Sequence, residues 1–297
     1  MFKNLQVYRL PAPWLVIADQ LAALLETQRF TPASSNELLR QGWAAPRAGG
    51  GLVHAVGGQF LLKLATEKKV LPAKAVKQRA KEMAAALEEQ QGFPPGKKAM
   101  KEMTERAADE MLPRAFTVGS HVNVWIDPVN GWLVVDAASA SKADDVIKML
   151  LKAVDRMPLE SLRVQQSPVG AMSSWLQDDE APHNFTIYQD ATLRATGESK
   201  AQVSYKRHTL EQGDVGAHIA AGKQCTRLAM TWDSKISFVL TEQLAIKSIK
   251  PLDVMKENAA PTADEAERFD SDFALMSGEL AKLLADLVEA LGGEARG

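Results

Sequence analysis

Apolar residues recur at spacings of three and four over residues 14–29, where Leu15, Ala18, Leu21, Ala22 and Leu25 line one face. That spacing predicts a helix, and Thr31-Pro32 ends it. Leu52 to Val56 and Phe60 to Ala65 are strand-length apolar runs, and Gly57-Gly58 between them supplies the positive φ angles of a two-residue hairpin turn. After Leu71-Pro72 the helical spacing returns. Val76, Ala80, Met83 and Leu87 mark one helix, Gly92-Phe93-Pro94-Pro95-Gly96 breaks it, and Met100, Met103, Ala107 and Met111 mark a second that ends at Pro113. A first arm of about 19 residues is roughly 28 Å long at 1.5 Å per residue, so the pair reads as a projecting helical hairpin.

Strand character resumes in Val122–Ile126 and Trp132–Val135, joined through Asp127-Pro128 and Asn130-Gly131. Ser141 is then the expected cap of a helix whose apolar stripe is Ala143, Val146, Ile147, Leu150 and Val154, with Asp144 and Asp145 near the positive end of its dipole. A short helix through Trp175 leads to strands at Phe185–Tyr188, Thr192–Thr196, Gln202–Tyr205, Thr226–Trp232, Ile236–Leu240 and Leu244–Ile249. Phe269, Phe273, Met276, Leu280, Leu283, Leu287 and Leu291 mark a long closing helix that ends at Gly292-Gly293. The fold class is therefore mixed α+β. The expected organisation is a central α/β domain from residues 1–69 and 114–165, a helical hairpin insertion at 70–113, and a strand-rich C-terminal domain at 166–297 with the long terminal helix.

Composition narrows the class. The chain has 297 residues, 46% of them apolar, and one cysteine, which excludes disordered, collagenous and disulfide-stapled proteins. No apolar run approaches the roughly 20 residues of a membrane span, and a lone Cys225 fits a reducing compartment, so a cytoplasmic protein is expected. The formal charge of -2 conceals a strong segregation. Residues 63–114 and 194–250 each carry +4, whereas residues 115–193 carry -5 and residues 251–297 carry -7. Such a chain can fold with one positive surface and an acidic exterior.

Patterns for catalysis are weak. His54, His121, His183, His208 and His218 are scattered and show no zinc-binding spacing, and no cofactor is expected. Gly216 to Gln224 resembles a phosphate loop only loosely: five residues separate its glycines, Gln224 replaces the magnesium-binding hydroxyl, and the segment runs from helix to strand. The acidic pairs Asp144-Asp145 and Asp270-x-Asp272 admit a metal-dependent nuclease as the alternative, or are simply solvated helix surface. Basic clusters remain: Lys68-Lys69, Lys74, Lys77, Arg79 and Lys81 at the first arm, Lys97-Lys98 and Lys101 at its turn, and Lys206-Arg207 and Lys223 in the strand-rich half. Each is either a solvated face or, where they converge, a surface for sequence-independent phosphate binding.

Several motifs spread along the whole chain. They are Phe2-Lys3-Asn4-Leu5 with Val7-Tyr8-Arg9-Leu10, Phe30-Thr31-Pro32, Leu112-Pro113-Arg114-Ala115-Phe116, Trp125-Ile126-Asp127 with Val129-Asn130-Gly131, Ala221-Gly222-Lys223, Arg268-Phe269-Asp270-x-Asp272-Phe273, Gly278-Glu279-Leu280 and Gly292-Gly293-Glu294-Ala295. In these the chain resembles the RdgC family of bacterial recombination-associated proteins. The resemblance implies a non-enzymatic, nucleoid-associated protein: a ring-shaped homodimer with a positively lined hole that encircles duplex DNA without sequence preference and restrains RecA recombinase. It implies that Arg114, Lys206, Arg207 and Lys223 line the hole and that Phe116 belongs to a dimer contact. On the residues alone, Phe116 reads as core, as an isolated aromatic on a strand more often is, and Arg114 is also readable as an ion-pair partner. Lys77, Lys97 and Lys98 are further DNA-binding candidates, although the insertion turn is less charged than in other members.

Overall fold

A computed structural model describes residues 2–11, 14–254 and 264–295. Its strands are Leu5–Arg9 (β1), Leu39–Ala44 (β2), His54–Val56 (β3), Gln59–Lys69 (β4), Thr117–Asp127 (β5), Trp132–Asp136 (β6), Glu160–Ser161 (β7), Phe185–Ala195 (β8), Gln202–Tyr205 (β9), Lys223–Trp232 (β10), Ile236–Thr241 (β11) and Ile246–Pro251 (β12). Its helices are Ala18–Glu26 (α1), Ala73–Gln91 (α2), Lys97–Met111 (α3), Ala140–Ala153 (α4), Pro168–Asp178 (α5), Gln212–Ala220 (α6) and Glu265–Ala290 (α7), with a short 3-10 turn at Leu112–Arg114. The mixed α+β class is what the residue pattern predicts.

All twelve strands belong to one antiparallel sheet, in the order β2-β4-β5-β6-β1-β12-β11-β10-β8-β9, with β3 added to β4 and β7 to β1. Five-residue β1 sits in its middle. It pairs with β6 over its whole length, from Leu5 opposite Asp136 to Arg9 opposite Trp132, and on its other side Leu5 stands opposite Ile246. The Asp136 carboxylate holds the start of this strand by accepting from the Lys3 and Asn4 backbone N–H groups at 3.0 and 2.8 Å.

The two faces of the sheet are covered unequally. On one face Leu5, Leu61, Trp125, Val134, Leu193, Leu228 and Ile246 pack against α5, α6 and α7, so a single core runs from β4 to β8. Helix α7 contributes Phe273, Met276, Leu280, Leu283, Leu284 and Leu287 to it, each worth about 1.5–3 kcal/mol on burial. On the other face Trp43, Leu62, Leu64, Val122, Val124 and Leu133 are covered by α1 and α4. That second core takes nothing from β8 to β12.

The helical hairpin has a small core of its own, Val76, Ala80 and Ala107, with Met83, Met103 and Met111 beside it. Gly92 closes α2 at a φ of 81°, the left-handed geometry that glycine adopts without a Cβ clash. The attachment is made by Lys69, which is 5% exposed. Its ammonium donates to the Leu112 carbonyl at 3.0 Å and to the Ser35 carbonyl, tying the end of the hairpin to the loop before β2.

Some expectations shift in detail. The first helix begins at Ala18, because in residues 14–17 the half-buried Trp14 and Val16 alternate with the exposed Leu15 and Ile17, the period of an extended segment. Ser139, not Ser141, caps α4: its Oγ accepts from the Lys142 N–H at 3.4 Å, which places Ser141 inside the first turn. The segments 185–188 and 192–196 form the single strand β8, whose polar middle lies where its pairing with β10 changes register. The last strand starts at Ile246, because Leu244 lies in a turn at positive φ. Strands β1 and β2 carry no apolar run strong enough to predict a strand.

Replacing Lys69 with Met removes the donor and leaves two carbonyls facing an apolar side chain. The expected cost is about 1–3 kcal/mol, read as a lower urea midpoint, with faster amide exchange over residues 112–118.

Candidate nucleic-acid interface

Because α1 and α4 stop short of β8–β12, the strands there present their second face to solvent. Register fixes what it carries. Gln224 lies opposite Arg194, which lies opposite Gln202; Arg227 lies opposite Thr192 and Thr241; Lys250 lies opposite Ser237 and Lys247 opposite Val239. Arg194 is bound to the Glu242 carboxylate, while Arg227, Lys247 and Lys250 have no ion pair among the described residues. The open face is therefore polar and basic, and its opposite is core.

Lys206, Arg207 and Lys223 gather at the β8–β9–β10 edge. Arg207 follows β9 with a φ of 51°, and its backbone N–H donates to Asp190 Oδ1 at 2.6 Å, while its guanidinium has no ion pair among the described residues. Lys223 opens β10, where its ammonium donates to His218 Nδ1 at 3.2 Å. The Tyr205 ring lies 6.0 Å from that of His208 and 6.4 Å from that of His218, so both histidines belong to the same patch.

Arg114, Lys77, Lys97 and Lys98 lie elsewhere, all solvent-exposed. Arg114 ends the 3-10 turn before β5, Lys77 stands on α2, and Lys97 and Lys98 open α3. Five inter-strand steps separate β5 from β10, about 24 Å at roughly 4.8 Å per step, so one chain holds two basic groups apart. Phe116 is 87% exposed and thus not core of this chain. It shares a sheet face with Leu39, Val70 and Val118, which are 47–54% exposed, in an apolar patch at the end of β2, β4 and β5.

A family model described as "Putative exonuclease, RdgC" matches residues 1–294. The chain belongs to the RdgC family. It is 63% identical over 294 residues to the recombination-associated protein RdgC of Janthinobacterium sp. (strain Marseille), covering 99% of this chain and 98% of that one. The RdgC proteins of Herminiimonas arsenicoxydans, at 60% over 294 residues with the same two coverages, and Cupriavidus necator, at 55% over 296 residues and 99% of both chains, carry the same name.

The acidic pairs occupy ordinary positions in this RdgC-family chain. Asp144 and Asp145 are exposed on α4, with Asp145 3.8 Å from Lys148. Asp270 Oδ1 accepts from Arg47 at 3.0 Å and lies 3.1 Å from His54 Nε2, while Asp272 lines a cavity of about 250 Å³ with Lys63, Phe269 and Phe273. Among the described residues no three His, Cys, Asp or Glu side chains are grouped to hold a metal ion. Nor is any described helix long and apolar enough to cross a membrane. Cys225 is buried at the α5–β10 contact, and desolvation pushes its thiol up to about 12, so no thiolate nucleophile is present there. The phosphate-loop likeness at Gly216 is the end of α6 and the turn into β10, with no helix N-terminus to face a phosphate.

Arg227, Lys247, Lys250 and His218 were not singled out from sequence. The first three alternate with buried residues of their own strands, which is the signal available for them. His218 becomes visible only through its contact with Lys223.

His54 sits edge-on to Phe269 and Phe273, at 5.0 and 6.0 Å. Burial lowers its pKa below the ordinary value; the Asp270 carboxylate opposes this and Arg47 adds to it. The unfolded chain therefore takes up the proton first, near pH 6.5, and stability present above that pH is lost as pH falls through it. Urea midpoints of wild type should fall between about pH 7 and pH 5, and His54→Gln should flatten that fall.

Proposed function

We propose that this protein binds DNA without sequence preference, closes around it as a ring-shaped homodimer, and restrains RecA-dependent recombination in the cytoplasm, in association with the nucleoid. The observation that carries this reading is the placement, on one sheet, of cations without ion pairs among the described residues at two separated positions, near the start of β5 and at the β9 edge, with an uncovered basic face at β8–β12. Such an arrangement addresses backbone phosphates. Among the described residues it offers no known base-reading motif, so little discrimination among sequences follows.

Closure needs a second copy. In a two-fold dimer each contact is self-complementary, and two different contacts enclose a passage. Phe116 with Leu39, Val70 and Val118 supplies an apolar surface for one of them, since side chains this exposed gain stability only when covered. Enclosure then turns modest phosphate attraction into topological retention, and a protein threaded on DNA obstructs growth of a RecA filament.

The family description keeps a nuclease reading in play, and one experiment separates the two. Purified protein is incubated with unrelated duplexes, with and without magnesium or manganese, over a salt titration. The binding reading expects a salt-sensitive shift with intact DNA, and loss of strand exchange when RecA is added; shortened DNA, or full strand exchange at saturating protein, overturns it. Arg207→Ala and Lys223→Ala should each weaken binding to every duplex and reduce the slope of log K against log salt by about one. Phe116→Ala should lower dimer mass in sedimentation and shorten retention on circular DNA while leaving the unfolding free energy of the dissociated subunit within about 0.5 kcal/mol of wild type, as for an exposed side chain.

A further inference from the structure

Helix α6 ends where the basic patch begins. His218 stands in its last turn, and Lys223 follows it across the Ala221-Gly222 turn. The Lys223 ammonium lies 3.2 Å from His218 Nδ1, and because an ammonium can only donate, that ring nitrogen serves as the acceptor. The surrounding groups are few. Tyr205 and His208 approach from the end of β9, and His208 Nδ1 is engaged with the Thr209 carbonyl at 2.7 Å. Lys206 and Arg207 lie between those two rings in sequence, and Asp214 lies one turn earlier on α6. Helix α5 meets α6 through the Gln177 carbonyl, which accepts from Gln212, and its Asp178 accepts from Ser174. No carboxylate among the described residues pairs with Lys223 or His218.

A phosphodiester oxygen is a stronger acceptor for an ammonium than a neutral imidazole is, because its hydrogen bond is charge-assisted at both ends. Once a phosphate takes over Lys223, His218 Nδ1 loses its donor and faces an anion. Protonation there gives a second donor to the same phosphate, and the negative end of α6 favours the charged ring. We infer that His218 and Lys223 form a proton-linked clamp for one DNA backbone phosphate: binding takes one proton from solvent onto His218 Nδ1 while Lys223 keeps its own. This rests on the DNA-binding reading above.

The test is fluorescence anisotropy of the full-length protein on a labelled duplex, from about pH 8 to about pH 5.5, where an imidazole titrates. Wild-type affinity should rise as pH falls, by up to about tenfold per unit for one linked proton, and the salt slope should steepen by about one at the acidic end. His218→Gln still accepts from Lys223 but holds no proton, and should give a flat profile; His208→Gln should keep the wild-type rise. A flat wild-type profile, a rise that survives His218→Gln, or a rise abolished by His208→Gln each overturns the clamp. Duplex binding that persists in any of those cases leaves the DNA-binding reading standing, whereas no binding at any pH removes both.

Discussion

The geometry depends on hydrogen bonding along both edges of one short strand. β1 exchanges backbone bonds with β6, meets β12 at Leu5, and has its entry fixed by Asp136. The Ile249 N–H donates to the Lys3 carbonyl at 3.0 Å and the Ser248 N–H to Asn4 Oδ1 at 3.3 Å, which extends the junction beyond the paired residues. Through this seam the β2–β6 part and the β8–β12 part become one sheet. The distance between the basic edge at β9 and the hairpin end at β4–β5 is therefore set by strand spacing, which side-chain changes hardly alter. A flexible linker in the same place would let the two charge groups wander relative to each other.

Helix coverage then decides what each part of that sheet can do. Where α1 and α4 lie on the second face, inward positions are Trp43, Leu62, Val124 and Leu133. Where no helix follows, the equivalent positions are Thr192, Gln202, Arg227 and Lys250. The same period-two alternation serves a buried layer in one half and an open, basic one in the other. Arg194 is the exception within the open face, since Glu242 already neutralises it. That pair reduces the local charge and distinguishes Arg194 from its unpaired neighbours Arg227 and Lys247.

Strongly periodic segments were legible from the residues. The helical hairpin, the β3–β4 turn at Gly57-Gly58, the β5–β6 hairpin and the long terminal helix all appear where apolar spacing and breakers place them. β1 was not, because five residues with Leu5 and Val7 on one face and Tyr8 on the other look like a loop until two partners are known to flank them. Arg114, Lys206, Arg207 and Lys223 were legible as basic residues, but their division between distant ends of the sheet follows from strand order. Local periodicity does not encode that order. The contact between Lys223 and His218 needed the α6–β10 turn, and the exposure of Phe116 needed to be seen against the neighbouring strands.

For a chain of net charge -2, the proposed attraction to DNA is a matter of distance and screening. The most acidic segment includes α7, which packs on the face opposite the open basic strands. A helix about 10 Å thick, added to the sheet itself, puts the outward carboxylates of α7 well over 10 Å from a phosphate on the other side. The Debye length at physiological ionic strength is about 8 Å, so that repulsion would be largely screened while contacts with Arg227 or Lys250 would not. Charges on the near face thus govern the encounter. Lowering the salt lengthens the screening distance and brings the far carboxylates into play, so repulsion from α7 opposes part of the gain that counterion release alone would give.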